Sequence, residues 1–185
     1  MLEYLNGIDR ALFSFVNGQL ANPVTDFLMP VITDDMVLRV LYGAAMVILL
    51  WRGKARLRWL VLFSALTLAA TDQIAAHLLK PLIERVRPCH VLPEVHLLVG
   101  CGGGWAMPSA HAANAFGQAL LFAVIEPKSR WYVLVFATMV AFSRVFVGVH
   151  YPGDILVGAS VGAALGFMGA KVFGIFDGRF IKAAR

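Results

Sequence analysis

The sequence predicts an all-α protein, a polytopic membrane helical bundle of five to six transmembrane helices with an amphipathic N-terminal helix. Three observations carry that expectation. Hydrophobic residues make up 59% of the 185 positions, charged residues 15%, and mean hydropathy is +0.75, which is too apolar for a water-soluble domain of this size. Several apolar runs approach the length that a bilayer demands. The connections between them are tight, and basic on alternate sides.

Residues 1–35 mix Leu, Phe and Val with Asn6, Asp9, Arg10, Asn17, Asn22, Asp26, Asp34 and Asp35. That blend suits one or two amphipathic helices lying in the outer interface. The alternative is a sixth span, which would move the amino terminus to the cytoplasm and leave the remaining topology unchanged. Glu3, Asp9 and Arg10 precede any long apolar run, unlike a cleavable signal peptide. Candidate spans follow at 36–51, 59–79, 109–125, 131–149 and 154–174, the first and third short for a crossing. No linker, low-complexity tract or repeat divides the chain, so 1–185 reads as one domain, with an outer loop at 81–107.

Arg52, Lys54, Arg56 and Arg58, then Lys128 and Arg130, then Arg179, Lys182 and Arg185 fall on one side, which the positive-inside rule assigns to the cytoplasm. Apart from Arg10 and Arg39, the outward side carries Lys80, Arg85, Arg87 and Arg144. The net charge of +5 is therefore mostly an orientation signal for a bacterial plasma-membrane protein, with no patch or motif for a nucleic-acid partner.

Lys80, Arg87 and Arg144 among them belong to a set that also holds two imidazoles and a carboxylate at the ends of apolar runs, where an unpaired charge is costly. In Gly148-Val149-His150-Tyr151-Pro152-Gly153-Asp154, the Pro-Gly pair breaks one helix and Asp154 is a favoured cap for the next. Asp154 can then accept the Nδ1 proton of His150 and leave Nε2 as a nucleophile. Arg144, six residues earlier, offers a fork for phosphate oxygens. Lys80 and Arg87 add a point charge and a second fork, and three fixed cations can stabilise a phosphoryl transition state without a metal or other cofactor. Arg85 is assigned to the headgroups. Ser109 stands as N-cap before an Ala-rich helix, beside free backbone N–H groups, with His111 placed to donate a proton to a leaving oxygen. Taken singly, each motif also has a structural explanation: a helix cap, a snorkelling cation, an interfacial His.

Together, Lys80 with Arg87-Pro88, Pro108-Ser109-Ala110-His111, and Ser143-Arg144 with His150 and Asp154 resemble the type 2 phosphatidic acid phosphatase superfamily, membrane lipid phosphatases related to vanadium haloperoxidases. The order and the spacing of the first and third motifs match the family pattern; Ala110 departs from it, standing where Gly is usual. The resemblance implies attack of His150 on phosphorus, protonation of the leaving oxygen by His111, a phosphohistidine intermediate, Asp154 holding His150, and Lys80, Arg87, Ser109, Ala110 and Arg144 around the phosphate. It implies a lipid phosphate substrate met among membrane lipids. The first expectation is undecaprenyl pyrophosphate; phosphatidylglycerophosphate, phosphatidic acid and lipid A are competitors. An anion or lipid transporter remains the alternative of another class, and a vanadate haloperoxidase is disfavoured by the membrane setting. A bell-shaped pH profile is expected, because His150 must be neutral while His111 is protonated.

Cys89 and Cys101 flank the part of the outer loop holding His90, Glu94 and His96, and are expected to form a disulfide in an oxidising space. A metal site from Cys89, His90, His96 and Cys101 matches no familiar zinc spacing. Within the second span, Asp72 and His77 are expected to face the bundle, while Asn114 and Gln118 are placed to hydrogen-bond between helices.

Overall fold

The chain builds helices throughout: in the computed structural model, which describes residues 2–178, no strand occurs among the described residues. Arg179, Lys182 and Arg185, expected on the cytoplasmic side, lie outside them. Helix α1 (Leu2–Ser14) runs into a π-helical turn (Phe15–Gln19), followed by α2 (Pro23–Thr33) and α3 (Asp35–Arg52). Helix α4 (Ala55–Asp72) continues through a π-helical turn (Gln73–Leu79) into a last turn, Lys80–Ile83. Then come α5 (Ala110–Ile125), α6 (Arg130–Phe146) and α7 (Pro152–Phe176).

Local chemistry sets the boundaries. Asn22 opens α2 by accepting from the N–H groups of Val24 and Thr25, with Pro23 in the first helical position where its missing donor costs nothing. Asp34 alone separates α2 from α3 and caps the latter through Val37 N at 2.9 Å. The fourth apolar run, expected to continue to residue 149, stops at Phe146 because the chain turns through Gly148 at φ 87°, a left-handed position that suits glycine.

Helix α5 is the centre, packed against α4, α6 and α7. Its buried face carries Ala112, Ala113, Gly117, Ala119 and Leu121, and α7 answers with Gly158, Gly162, Gly166 and Ala170. Small residues on both sides let the two backbones meet, the packing mode of membrane helices. A polar seam reinforces α4 against α5: Gln118 Oε1 accepts from Ser64 at 2.5 Å, Thr71 meets Asn114 at 2.7 Å, and Asn114 donates to Asp72 at 3.2 Å. Asn114, Gln118 and Asp72 thus bond across helices, whereas His77 is exposed, on the π-helical turn where the extra residue rotates the register.

Among the described residues, two stretches are long and apolar enough to cross a bilayer, Ala55–Val91 and Pro152–Phe176. Helix α3 has no buried residue, and α6 leaves Trp131, Tyr132, Val135, Phe136 and Met139 exposed. In α1, Tyr4, Leu5, Ile8 and Leu12 form an exposed apolar stripe, while Phe13 and Val16 join a core cluster with Val145, Phe146 and Tyr151. The N-terminal segment therefore packs at the end of the bundle where α6 passes to α7. At the other end, Arg56 pairs with Glu126 and Asp177.

Candidate active site

Three separate segments converge at the α6–α7 junction. Helix α4 ends at Glu84, left-handed at φ 50°, and the chain then runs non-helically to Arg87. Arg85 and Arg87 stand two residues apart in this stretch and both reach the 150–154 segment, while Val86 between them is exposed.

Arg87 is buried. Its Nε donates to Gly104 O at 3.2 Å, and its Nη1 lies 3.3 Å from Val149 O and 3.4 Å from His150 Nε2. A guanidinium has only donors, so Nε2 is the accepting nitrogen and the ring proton sits on Nδ1. Nδ1 faces Asp154 Oδ2 at 3.4 Å, and that oxygen also accepts from Tyr151 N at 2.8 Å. The residues from Arg87 through His150 to Asp154 thus form one oriented string, with the Nε2 lone pair of the imidazole on the side of the cation.

A second group meets at the α2–α3 corner. His111 Nε2 lies 3.2 Å from Thr33 O and 3.1 Å from Asp35 Oδ1, both acceptors, so this nitrogen carries a proton. Arg144 Nη1 donates to Thr33 Oγ1 at 2.6 Å, and its Nε is buried with no hydrogen-bond partner, leaving a donor for an anion. Lys80 lies within electrostatic reach of Arg87, Arg144 and Asp154.

Ser109 is buried as the N-cap of α5; its Oγ faces Ala112 N at 3.5 Å, and its own N–H donates to Asp154 O at 3.0 Å. That bond ties the start of α5 to the start of α7. Ala110 is the first helical residue, where a right-handed backbone suits Ala as well as Gly. Cys89 and Cys101 are bonded to each other, Cα to Cα 6.1 Å, which commits both thiols and closes the loop beside Gly104. His90 Nε2 lies 3.2 Å from Gly102 O, and His96 pairs with Asp26 at 3.1 Å.

Arg85 corrects the headgroup assignment. It points inward, its Nη1 2.7 Å from Asp154 Oδ1 and its Nη2 2.7 Å from Asp9 Oδ2. Sequence reasoning also passed over Asp9, Thr33 and Asp35. For Arg85 a signal existed, its two-residue offset from Arg87 in a segment without helical periodicity; for the other three, no local pattern marks a contact with a residue more than seventy positions away.

Burial lowers the His150 pKa to about 3, with Arg87 and Arg144 acting in the same direction and Asp154 opposing them. The acid limb of a pH profile therefore does not arise from this ring near its ordinary value. In a histidine-labelled NMR titration, the His150 signals should hold their neutral positions from about pH 5 to 8, and a midpoint near the ordinary histidine value of about 6.5 would refute the assignment. The unfolded chain binds a proton there that the folded chain does not, so the fold should lose stability as pH falls below about 6.5.

The chain is similar to known proteins. Over 178 aligned residues the chain is 34% identical to a lipid A 4'-phosphatase of Bacteroides thetaiotaomicron, covering 91% of this chain and 78% of that one. It is 28% identical over 147 residues to undecaprenyl-diphosphatase BcrC of Bacillus subtilis, covering 80% and 74%. The crystal structure of a transmembrane PAP2 type phosphatidylglycerolphosphate phosphatase from Bacillus subtilis superposes with a TM-score of 0.74 at 26% identity, covering 96% of this chain and 89% of that one. Residues 58–175 match the PAP2 superfamily, and with the helical architecture and the relatives this makes the chain a member of that family of membrane phosphatases.

Proposed function

We propose that the protein hydrolyses a lipid phosphate through a phosphohistidine at His150, on the outer side of the bacterial plasma membrane. The observation that carries this reading is the buried string Arg87–His150–Asp154, which fixes the tautomer a nitrogen nucleophile needs. The Nε2 lone pair forms a bond to phosphorus as the bond to the lipid oxygen breaks, and His111 gives that oxygen a proton. Water then attacks the phosphohistidine, His111 takes back a proton, and inorganic phosphate leaves with His150 restored. Lys80, Arg87 and Arg144 hold the three phosphate oxygens, Arg144 with its unused Nε–H, so the charge of the transition state is met by the chain's own cations. Ser109 fixes the helix start beside them.

Helices α3 to α7 are read as five spans, α1 and α2 as the interfacial segment. Arg52, Lys54, Arg58, Lys128 and Arg130 lie at the connections on the side away from Asp154, which supports an outward-facing site by the positive-inside rule. The whole chain, 1–185, then acts as one domain. The substrate is a phosphorylated glycolipid of the lipid A kind, in preference to undecaprenyl diphosphate, because the resemblance to the lipid A 4'-phosphatase is stronger and longer, extending beyond the residues matched by the family.

Phosphate release in mixed micelles from bisphosphorylated lipid A, undecaprenyl diphosphate and phosphatidylglycerophosphate tests the assignment. Lipid A should show the highest kcat/KM, by about tenfold or more, a difference of about 1.4 kcal/mol in transition-state binding. A preference for undecaprenyl diphosphate would move the substrate to the polyprenyl class. No release from any of the three would sink the lipid phosphatase reading.

A further inference from the structure

Asp154 has two different duties on its two oxygens. Oδ2 faces His150 and Tyr151 N, while Oδ1 takes the Arg85 guanidinium at 2.7 Å. The carboxylate is fully buried, and a buried carboxylate keeps its charge only beside a cation or several donors. Arg85 is the cation in direct contact. Its Cζ lies 4.3 Å from the centre of the Tyr151 ring, and its Nη2 reaches Asp9 Oδ2 at 2.7 Å and Asn6 Oδ1 at 3.0 Å. Asp9 returns to the same turn, because its Oδ1 accepts from Gly153 N at 2.7 Å. A Cβ at residue 153 would stand 2.7 Å from Asp9 Oδ2, so glycine there leaves room for the carboxylate.

Side-chain exposures along this line are 13% for Asp9, 16% for Arg85, 0% for Asp154 and 2% for His150. A chain of alternating charges therefore runs from α1 to the imidazole, sheltered from screening by solvent. Arg85 and Arg87 divide the work on the His150–Asp154 pair: Arg87 touches the ring nitrogen aimed at phosphorus, and Arg85 touches the carboxylate behind it.

We propose that Arg85 and Asp9 are positioning residues for the nucleophile, which makes the N-terminal helix part of the catalytic apparatus. Arg85 holds Asp154 in the orientation that receives His150 Nδ1–H, and Asp9 holds both Arg85 and the 153–154 turn. The inference rests on the reading of His150 as nucleophile. It also sets Arg85 apart from the phosphate-holding cations, since it does not contact the anion.

Arg85→Met, Asp9→Asn and their double variant, assayed as full-length protein in detergent for phosphate release and for orthovanadate inhibition, test this. Arg85→Met should lower kcat roughly 10- to 100-fold, with KM and the vanadate inhibition constant within about threefold of the parent, as for loss of a group acting through another. Arg85→Lys should regain part of kcat. Asp9→Asn should lower kcat less, and the double variant should fall no further than Arg85→Met, because the two act in series. Raised KM and weakened vanadate inhibition with unchanged kcat would reassign Arg85 to phosphate binding and overturn the proposal, as would losses that multiply in the double variant. Should Arg85→Met not accumulate as folded protein, Gly153→Ala displaces Asp9 from the other end: reduced kcat at constant KM supports the line, and unchanged kcat overturns it. Phosphate release by the parent, and its loss in His150→Ala, test the underlying reading separately.

Discussion

Replacing His150 with Ala should eliminate turnover, by about 10⁴-fold or more in kcat, while phosphate or vanadate still binds. The expected size follows from what the residue supplies. A cation cradle alone stabilises charge but offers no atom to accept the phosphoryl group, so the two-step route closes and only direct attack by water remains. Binding persists because Lys80 and Arg87 come from another segment, the Arg144 side chain is held by Thr33, and the contacts of Arg87 with Gly104 and Val149 do not need the imidazole. The parent should also incorporate labelled phosphate from substrate into an acid-labile, base-stable adduct, absent from the variant. This measurement separates the enzyme from a transporter, which has no use for an oriented nucleophile. Turnover or transport near the parental rate in the Ala variant would remove His150 from the mechanism and favour the transporter.

The second large effect concerns packing. Gly162→Val should destabilise the fold severely and silence the site in whatever protein remains folded. A Cβ at residue 162 would fall on the carbonyl oxygen of Ala113, 2.8 Å from the carbonyl carbon and 2.9 Å from Cα. These are backbone atoms, so no rotamer change relieves the overlap and α5 and α7 must separate. Overpacking of this kind costs about 1–3 kcal/mol and sometimes more. At roughly 2–4 °C per kcal/mol for a chain of this length, even Gly162→Ala should lower Tm by several degrees. Activity should fall further than stability predicts, because the N-terminal turn of α5, which carries Ser109 and His111, is held to Asp154 by the Ser109 N–H bond to its carbonyl. Gly174→Ala is the control: nothing lies within 4 Å of its added carbon, and Ala is the better helix former. Equal melting temperatures for the two variants would contradict the close-packed seam.

How much of this was legible beforehand depended on whether the signal was local. Hydropathy and basic connections disclosed helices at 36–51, 59–79, 109–125, 131–149 and 154–174, and each corresponds to an observed helix with shifted ends; the second departs most, its helix starting at Ala55 and its last turn closing at Ile83, and the fourth stops early because of Gly148. Motif spacing disclosed His150 with Asp154, since four residues across a Pro-Gly turn bring those side chains together. The environment of His111 was not legible. Thr33 and Asp35 reach it only once α2 has packed on α6, and an acidic residue at a helix start reads equally well as an N-terminal charge or a partner for Arg39, which Asp35 also meets at 3.8 Å. Arg85 was misjudged for a related reason: cations at membrane helix ends commonly snorkel, and nothing near it in sequence announces Asp9 or Asp154 as partners.

Asn17 shows why the segment ahead of the family-matched residues matters. Its amide donates to the carbonyls of His96 and Phe146 and accepts from the His96 N–H, and the residue is 2% exposed. One side chain therefore completes the backbone bonding of both the outer loop and the end of α6. Excising residues 1–57 would strip three main-chain groups of their partner at a cost of about 1–3 kcal/mol each where water does not replace it. A recombinant fragment trimmed to residues 58–175 would reproduce the family signature while losing the brace beneath the turn that carries His150.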